Sequence, residues 1–465
     1  MKNLPSQSEG EINTSSRRIA WAEKNHNDLT QTLLNDDAKY FLHQSISSPC
    51  LSAIRKAEGA YIEDLQGKKY LDFHGNNVHH IGYGHPRLKQ AIAKQMDDLP
   101  FAPRRFTCKS AVDLAQKLSD VSPGNLSKVL YTTGGSDAIE VAMKLARAAT
   151  GRHKTISFWD SFHGAGYGAS SVGGEQLFRS HIFGPLLTGT EHVAPFDCYR
   201  CPYGYPDLGG KPQLDLCKIT CAKFVRYVLE KEGDVAAVIA EPTRAVPYFP
   251  PPGFWTEVRK ACDDHGTLLI FDEIPTGLGK SGKMFACEHE EVVPDILVLG
   301  KALGGGIIPI AAVLAKPELD IAGEFAFGHY THEKNPVSSC AALTTLEIIE
   351  DEDLVENASK LGSYALERLN KLQSKHQSIG DVRGRGFIFG VELVLDKNDK
   401  IPAKDLAEEI FYRCLDKGLS FKISMGNILT LTPPLILSKS QLDFSIDTIS
   451  ECINDAERNQ NLIIK

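Results

Sequence analysis

The sequence has little that points to a membrane or to a nucleic acid. Its longest largely apolar run, Ile307 to Ala315, falls far short of the roughly 20 residues that a bilayer-spanning helix needs. The N-terminal stretch is rich in Ser, Asn and Glu and has no continuous apolar segment of the secretory type, so the cytoplasm is the expected location. Net charge is −8, with acids and bases interspersed. The basic stripe that a phosphate backbone requires is missing, and no nucleic-acid partner is expected. Eleven cysteines is an odd number for a disulfide framework, and a chain of 465 residues can bury a core without staples. Reduced thiols are therefore expected.

Several familiar motifs are incomplete. Gly279-Lys280-Ser281 looks like the end of a P-loop, but the glycine required earlier is Ile274, and no G-x-G-x-x-G opens a helix after an early strand. His332-Glu333-Lys334-Asn335-Pro336 is one histidine short of a zinc-protease helix. One spacing comes nearer to a metal pattern. Cys198, Cys201, Cys217 and Cys221 read C-x2-C, fifteen residues, then C-x3-C, close to a structural zinc site. The plainer alternative is four scattered thiols in a Pro/Gly-rich surface excursion, and no metal is assigned to the functional site.

What is present is the composition of an ordinary globular chain, 42% hydrophobic and 24% charged. No internal repeat or long low-complexity tract interrupts it. The length suggests one large domain with a smaller companion. The first forty-odd residues form a polar arm, followed by a hairpin in which Ala60–Ile62 and Lys69–Phe73 flank the turn Asp64-Leu65-Gln66-Gly67. From about residue 110 to 315, short apolar runs alternate with helical patterns. The runs Lys128–Tyr131, Thr155–Trp159, Val235–Ala240, Thr267–Phe271 and Ile296–Leu299 read as parallel strands covered on both faces. That alternation predicts an α/β domain with a mostly parallel sheet. Beyond residue 340, helical patterns at Cys340–Ile349 and Leu354–Leu372 precede strand-like Phe387–Leu395 and Ile428–Leu431, a mixed α+β domain. The expected division is 1–105 as arm and small-domain segment, 106–335 as the large domain and 336–465 as the C-terminal small domain.

Ligands in such sheets bind beyond the carboxyl ends of the strands. There Thr267–Phe271 runs into Asp272-Glu273, and Ile296–Leu299 runs into Gly300-Lys301. A lysine and an acid facing one crevice suit pyridoxal 5′-phosphate (PLP): the amine forms a Schiff base and the carboxylate keeps the pyridine nitrogen protonated. A lone lysine is usually solvated, so the weight rests on the conjunction. A third strand leads into Thr132-Thr133-Gly134-Gly135-Ser136-Asp137 and then Ile139, Ala142, Met143 and Ala146 at helical spacing. Glycines and free N–H groups at a helix start hold a phosphate, although an ordinary capped helix reads the same way. Phe162 and His163 follow another strand, and Glu241 a fifth, adding an aromatic ring, an imidazole and a second carboxylate to the crevice.

With these residues assembled, the chain resembles the class III aminotransferase family, whose members share the PLP-dependent fold of aspartate aminotransferase. The likeness runs from about Gly59 to about Pro434. It is carried by Tyr70-Leu71-Asp72-Phe73, Gly82-Tyr83-Gly84-His85-Pro86, Gly134-Gly135-Ser136-Asp137-Ala138, Phe162-His163-Gly164, Glu241-Pro242, Phe271-Asp272-Glu273-Ile274, Gly300-Lys301, Thr331 and Arg383-Gly384-Arg385-Gly386. The resemblance implies that Gly135 and Ser136 hold the cofactor phosphate, that Phe162 and Ile274 cover the two ring faces, that Asp272 pairs with the ring nitrogen and that Lys301 carries the cofactor. It implies a homodimer in which Thr331 reaches the neighbouring subunit's phosphate.

Two features set the chain apart within the family. Thr331 is followed by His332-Glu333-Lys334 rather than by an aromatic and small residues, and Arg104 and Arg105 stand together in a region that supplies substrate contacts. Paired guanidinium groups suit a phosphonate or phosphate; a solvated basic pair on a loop is the alternative. These segments are similar to a branch of lyases acting on aminoethylphosphonate and ethanolamine-phosphate compounds. The implied reaction eliminates ammonia from a small hydroxy- or phospho-substituted amine and leaves an aldehyde. Two other outcomes remain open: loss of phosphate from ethanolamine phosphate, and an ω-aminotransferase in which Arg383 holds a keto-acid carboxylate. A cofactor-binding protein without catalysis is disfavoured by the presence of lysine, aspartate and phosphate cradle together.

Overall fold

The structure, a computed structural model, describes residues 12–459 except 180 and 209. Its centre is a seven-stranded sheet in the order Lys128–Thr132, Ala311–Ala315, Ile296–Leu299, Leu268–Asp272, Val235–Ala240, Lys154–Phe158, Thr190–Val193. All neighbours are parallel except those of Ala311–Ala315, which runs antiparallel to the strands on both sides. The three strands Val235–Ala240, Ile296–Leu299 and Ala311–Ala315 are buried along their whole length, as continuous apolar runs require. All five strands expected from the sequence are present within a residue or two of their expected ends. Two others were not legible: Thr190–Val193 is a polar edge strand, and Ala311–Ala315 lies within a run that shows no period.

The helix Gly135–Thr150 starts at the end of the first sheet strand and lays Ile139, Ala142, Met143 and Ala146 on the sheet, all buried. It closes at Gly151, whose φ of 66° is the left-handed cap that glycine accepts most readily.

The hairpin Tyr61–Asp64 and Lys69–Asp72 forms as expected. It belongs to a four-stranded sheet whose last member, Leu419–Ser420, comes from the far end of the chain and pairs in parallel with Lys69–Asp72. A third sheet orders Ile379–Arg385, Ile388–Leu393, Ile428–Leu431 and Lys422–Ser424, with the helix Leu354–Lys375 packed on its first strand. The Arg-Gly-Arg-Gly motif lies in this strand and the turn after it. Gly386 has φ 55°, and a Cβ there would lie 2.2 Å from the carbonyl carbon of Ser281. Close backbone approach, which only glycine allows, is what the motif provides at that point.

Candidate active site

A crevice of about 430 Å³ opens at the carboxyl ends of the parallel strands. Gly135, Ser136, Phe162, His163, Glu241, Asp272, Ile274 and Lys301 all line it, so the sequence-derived cofactor residues come together except Thr331. The strand Leu268–Asp272 ends on the carboxylate, Lys301 follows Ile296–Leu299 by two positions, and Phe162 and His163 lie in the loop after Lys154–Phe158. Asp272 is 1% exposed. Its Oδ2 accepts from His163 Nδ1 at 2.8 Å, and its Oδ1 accepts from the backbone N–H of Ile274 at 3.1 Å. Both bonds orient the carboxylate, while His163 Nε2 is buried without a protein partner. Burial pushes the Glu241 carboxyl above its ordinary range, against the pull of Arg244.

The end of the crevice at the start of the helix Gly135–Thr150 is built by close approach. A Cβ on Gly135 would meet Ile274 Cδ1 at 2.8 Å. Gly164, at φ 136°, would place a Cβ 2.4 Å from Ser136 Oγ, and that oxygen accepts the N–H of Ala165 at 3.1 Å. The loop after Phe162 is thereby pinned to the start of the helix Gly135–Thr150, where free N–H groups suit an anion. Lys301 has φ 44°, a left-handed conformation that costs an ordinary side chain energy and is typical of functional positions. PLP fits this donor set: helix-start N–H groups for its phosphate, Asp272 for its ring nitrogen, Phe162 and Ile274 for its faces and the Lys301 amine for its aldehyde.

Four sequence-derived residues lie elsewhere. Arg104 and Arg105 are exposed on a turn, and Thr331 is exposed on another. These turns pack against each other through the rings of Phe101 and His332, 5.6 Å apart, and through Ser110 Oγ donating to Pro336 O at 3.2 Å. Arg383 lies outside the crevice. Its Nη1 donates to Asp381 Oδ2 at 2.5 Å and to Glu392 Oε2 at 2.9 Å, its Nε donates to Pro247 O, and its guanidinium stands 4.5 Å from the Tyr248 ring centre. Burial lowers its pKa, but Glu392, Tyr248 and Asp381 outweigh that and hold it above the ordinary value.

The structure adds a second wall that the sequence did not reveal. Gln44 to Ser47, His74, Asn76, Asn77 and Lys422 line the same crevice. Asn76 and Asn77 follow the Asp72 strand and take φ of 47° and 59°, a left-handed turn that asparagine tolerates well. Their nearness to the Tyr70-Leu71-Asp72-Phe73 motif was a usable signal. Lys422 has no local signal, because only tertiary folding carries it there.

Cys198, Cys201, Cys217 and Cys221 converge on a different, small apolar cavity of about 30 Å³. Burial first, then neighbouring cysteines, pushes the Cys198 and Cys221 thiols up to about 12. Among the described residues, no three His, Cys, Asp or Glu side chains are grouped to hold a metal ion. No described helix is long and apolar enough to cross a membrane.

Comparison with known proteins places this geometry. The class III aminotransferase family matches residues 43–453. The (R)-1-hydroxy-2-aminoethylphosphonate ammonia-lyase of Vibrio splendidus strain 12B01 is 44% identical over 454 residues, 96% of this chain and 95% of that protein. The leucine/methionine racemase of Thermococcus litoralis is 37% identical over 415 residues, covering 87% and 91%. Among solved structures, an omega transaminase from Pseudomonas jessenii in complex with PMP superposes with a TM-score of 0.84 at 29% identity, covering 92% of this chain and 98% of that one. With most of its length matched and the lysine, aspartate and phosphate cradle gathered in one crevice, the chain belongs to the class III aminotransferase family and its cofactor is PLP.

Proposed function

We propose that this enzyme is an ammonia-lyase acting on a short hydroxylated aminophosphonate such as 1-hydroxy-2-aminoethylphosphonate, yielding phosphonoacetaldehyde. The observation that carries this reading is the likeness to the Vibrio splendidus lyase across nearly the full length of both chains. The placement of Arg383 supports it. An aminotransferase needs a group to seat its keto-acid co-substrate, and the arginine expected in that role is engaged by Asp381 and Glu392 outside the crevice.

Bound PLP supplies an electron sink for negative charge at the amine-bearing carbon. Lys301 lines the crevice and takes the proton from that carbon. Asp272, oriented by His163 and by the Ile274 N–H, keeps the ring nitrogen protonated so that the sink stays open. Departure of the β-hydroxyl and hydrolysis of the released product give aldehyde and ammonia. The hydroxyl leaves as water and hydrolysis takes one water up, so the net products are aldehyde and ammonia with no change of overall oxidation state, and neither an oxidant nor a second organic substrate is needed.

The paired turns bearing Arg104, Arg105 and Thr331 form, on this reading, a contribution to the neighbouring subunit's crevice in a homodimer; their exposure and mutual packing support that role. The assay that decides the reaction supplies holoenzyme with the hydroxylated aminophosphonate, and separately with ethanolamine phosphate, without any keto acid. Many turnovers of ammonia and aldehyde are expected from the first, and none from Lys301→Ala. A single stoichiometric conversion of the cofactor to its amine form, relieved by pyruvate, would instead establish an aminotransferase, and phosphate release from ethanolamine phosphate would establish a phospho-lyase.

A further inference from the structure

We propose that Glu241 is the general acid that protonates the substrate's departing β-hydroxyl. The inference rests on the lyase reading above and supplies a residue for its bond-breaking step.

The chemistry calls for such a donor. Hydroxide is a poor leaving group, and a side chain that delivers a proton as the carbon–oxygen bond breaks lets it depart as water. The C–H bond at the amine-bearing carbon breaks with its proton going to Lys301. The freed electron pair forms the second bond between the two carbons, and the carbon–oxygen pair leaves on the oxygen, which takes the Glu241 proton. Glu241 is left as a carboxylate and Lys301 as an ammonium, and one proton returned from lysine to glutamate through water restores both.

Glu241 is placed and held for that step. It lines the crevice together with Lys301 and is 7% exposed. It directly follows the strand Val235–Ala240, and Ala240 is in register with Phe271, so Glu241 stands beside Asp272 at the ends of two neighbouring strands. The loop that carries it is fixed from several sides. Pro242 O accepts from Trp255 Nε1 at 2.8 Å, and the Arg244 N–H donates to Tyr248 O at 3.0 Å. The Arg244 guanidinium donates to Asp160 O and stands 5.3 Å from the Tyr248 ring centre. Glu241 Oε2 accepts the N–H of Ala245 at 3.2 Å, and among the described residues no hydrogen bond holds Oε1. One oxygen therefore orients the carboxyl while the other is left for a ligand. Burial raises the pKa of this carboxyl; Arg244, His163 and the Ala245 N–H oppose the rise and Asp272 adds to it. The proton is thus kept to higher pH than on an exposed glutamate.

The test compares the holoenzyme with Glu241→Gln, which keeps the length and an oxygen for the Ala245 N–H but has no acidic proton. Ammonia release is measured from 1-hydroxy-2-aminoethylphosphonate, and fluoride release from 1-fluoro-2-aminoethylphosphonate, whose leaving group departs as a stable anion. Exchange of the C2 protons of 2-aminoethylphosphonate with deuterated water, followed by NMR, needs Lys301 but no leaving group. Ammonia release from the hydroxylated substrate should fall on the order of 10²–10⁴-fold, fluoride release far less, and proton exchange should persist. Glu241→Asp, which restores an acid, should recover part of the loss specific to the hydroxyl. Equal losses in all three measurements would make Glu241 a structural residue, and undiminished ammonia release in the folded glutamine variant would give the proton to Lys301; either result overturns the assignment. The lyase reading is judged separately, on the unsubstituted enzyme: conversion of the cofactor to its amine form without ammonia release would overturn that reading, and the role of Glu241 with it.

Discussion

The strand-end crevice and the cluster around Arg383 both bury ionised groups, and they use them in opposite ways. In the crevice Asp272 spends one oxygen on His163 and the other on a backbone N–H, His163 Nε2 has no protein partner, and the whole set faces an open cavity. In the cluster Arg383 bonds Asp381, Glu392 and Pro247 O, and Arg200 Nε holds the other oxygen of Glu392 at 2.5 Å. Charges that consume one another hold a fold together, whereas charges oriented by neutral partners toward a cavity remain available to a ligand. A buried arginine near a recognisable motif therefore marks this substrate site only when it faces the crevice, and Arg383, although its Nη2 has no protein partner, lies outside it.

The strongest way to break this comparison is at Asp272. Asp272→Asn retains the shape but not the charge, and turnover should fall on the order of 10³-fold with the fold intact. Steady-state ammonia release, read beside thermal melting, checks this; a variant that melts early but turns over normally would reverse the roles assigned to the two regions. Arg383→Met should do the converse. It leaves Asp381 and Glu392 without their shared cation, an expected loss of about 3–5 kcal/mol of stability, while KM for the substrate stays near its original value in the folded fraction. Denaturant unfolding and initial rates together measure both. A raised KM at unchanged stability would return Arg383 to the substrate site.

A smaller effect sharpens the comparison with a third buried charge. Lys280 is fully buried, and its Nζ donates to Pro433 O at 2.7 Å and to Thr432 O at 3.3 Å. Burial pulls its ammonium down to about 7, with Asp72 resisting. Between pH 7 and the ordinary lysine value near 10.5, the unfolded chain binds a proton that the folded chain does not. Stability should therefore rise as pH increases through that window and level off below it. The span corresponds to a few kcal/mol at most, and Lys280→Met should flatten the slope. An unchanged slope in urea titrations at several pH values would place the Lys280 proton elsewhere.

Much of the strand-end crevice was legible in the sequence because its parts are local. Each parallel strand announces itself as a short apolar run, and the residue that follows must lie at the ligand end of the sheet, so the order of residues alone puts Asp272, Glu241 and Lys301 together. Gly135 and Ser136 followed from a strand running into a helical period. The Arg104 and Arg105 pair was read from a resemblance to the region where the family draws substrate contacts, and in a single protomer it is exposed outside the crevice. The four cysteines gave a spacing that brought them to one cavity without a ligand arrangement among the described residues. Spacing limits how far apart side chains can be, but not where their sulfurs point.

By itself, then, the sequence determined the alternation of strand and helix and which residues sit at the strand ends, because hydrophobic period and chain direction are local properties of the backbone, and its motifs carried the resemblance to the family. The tertiary structure alone decided what completes the site. It folds residues 44–47 and 74–77 and the distant Lys422 into one second wall, and it ties Arg383 to Asp381 and Glu392. Contacts between residues so far apart in the chain depend on how whole sheets pack, and no local pattern encodes that.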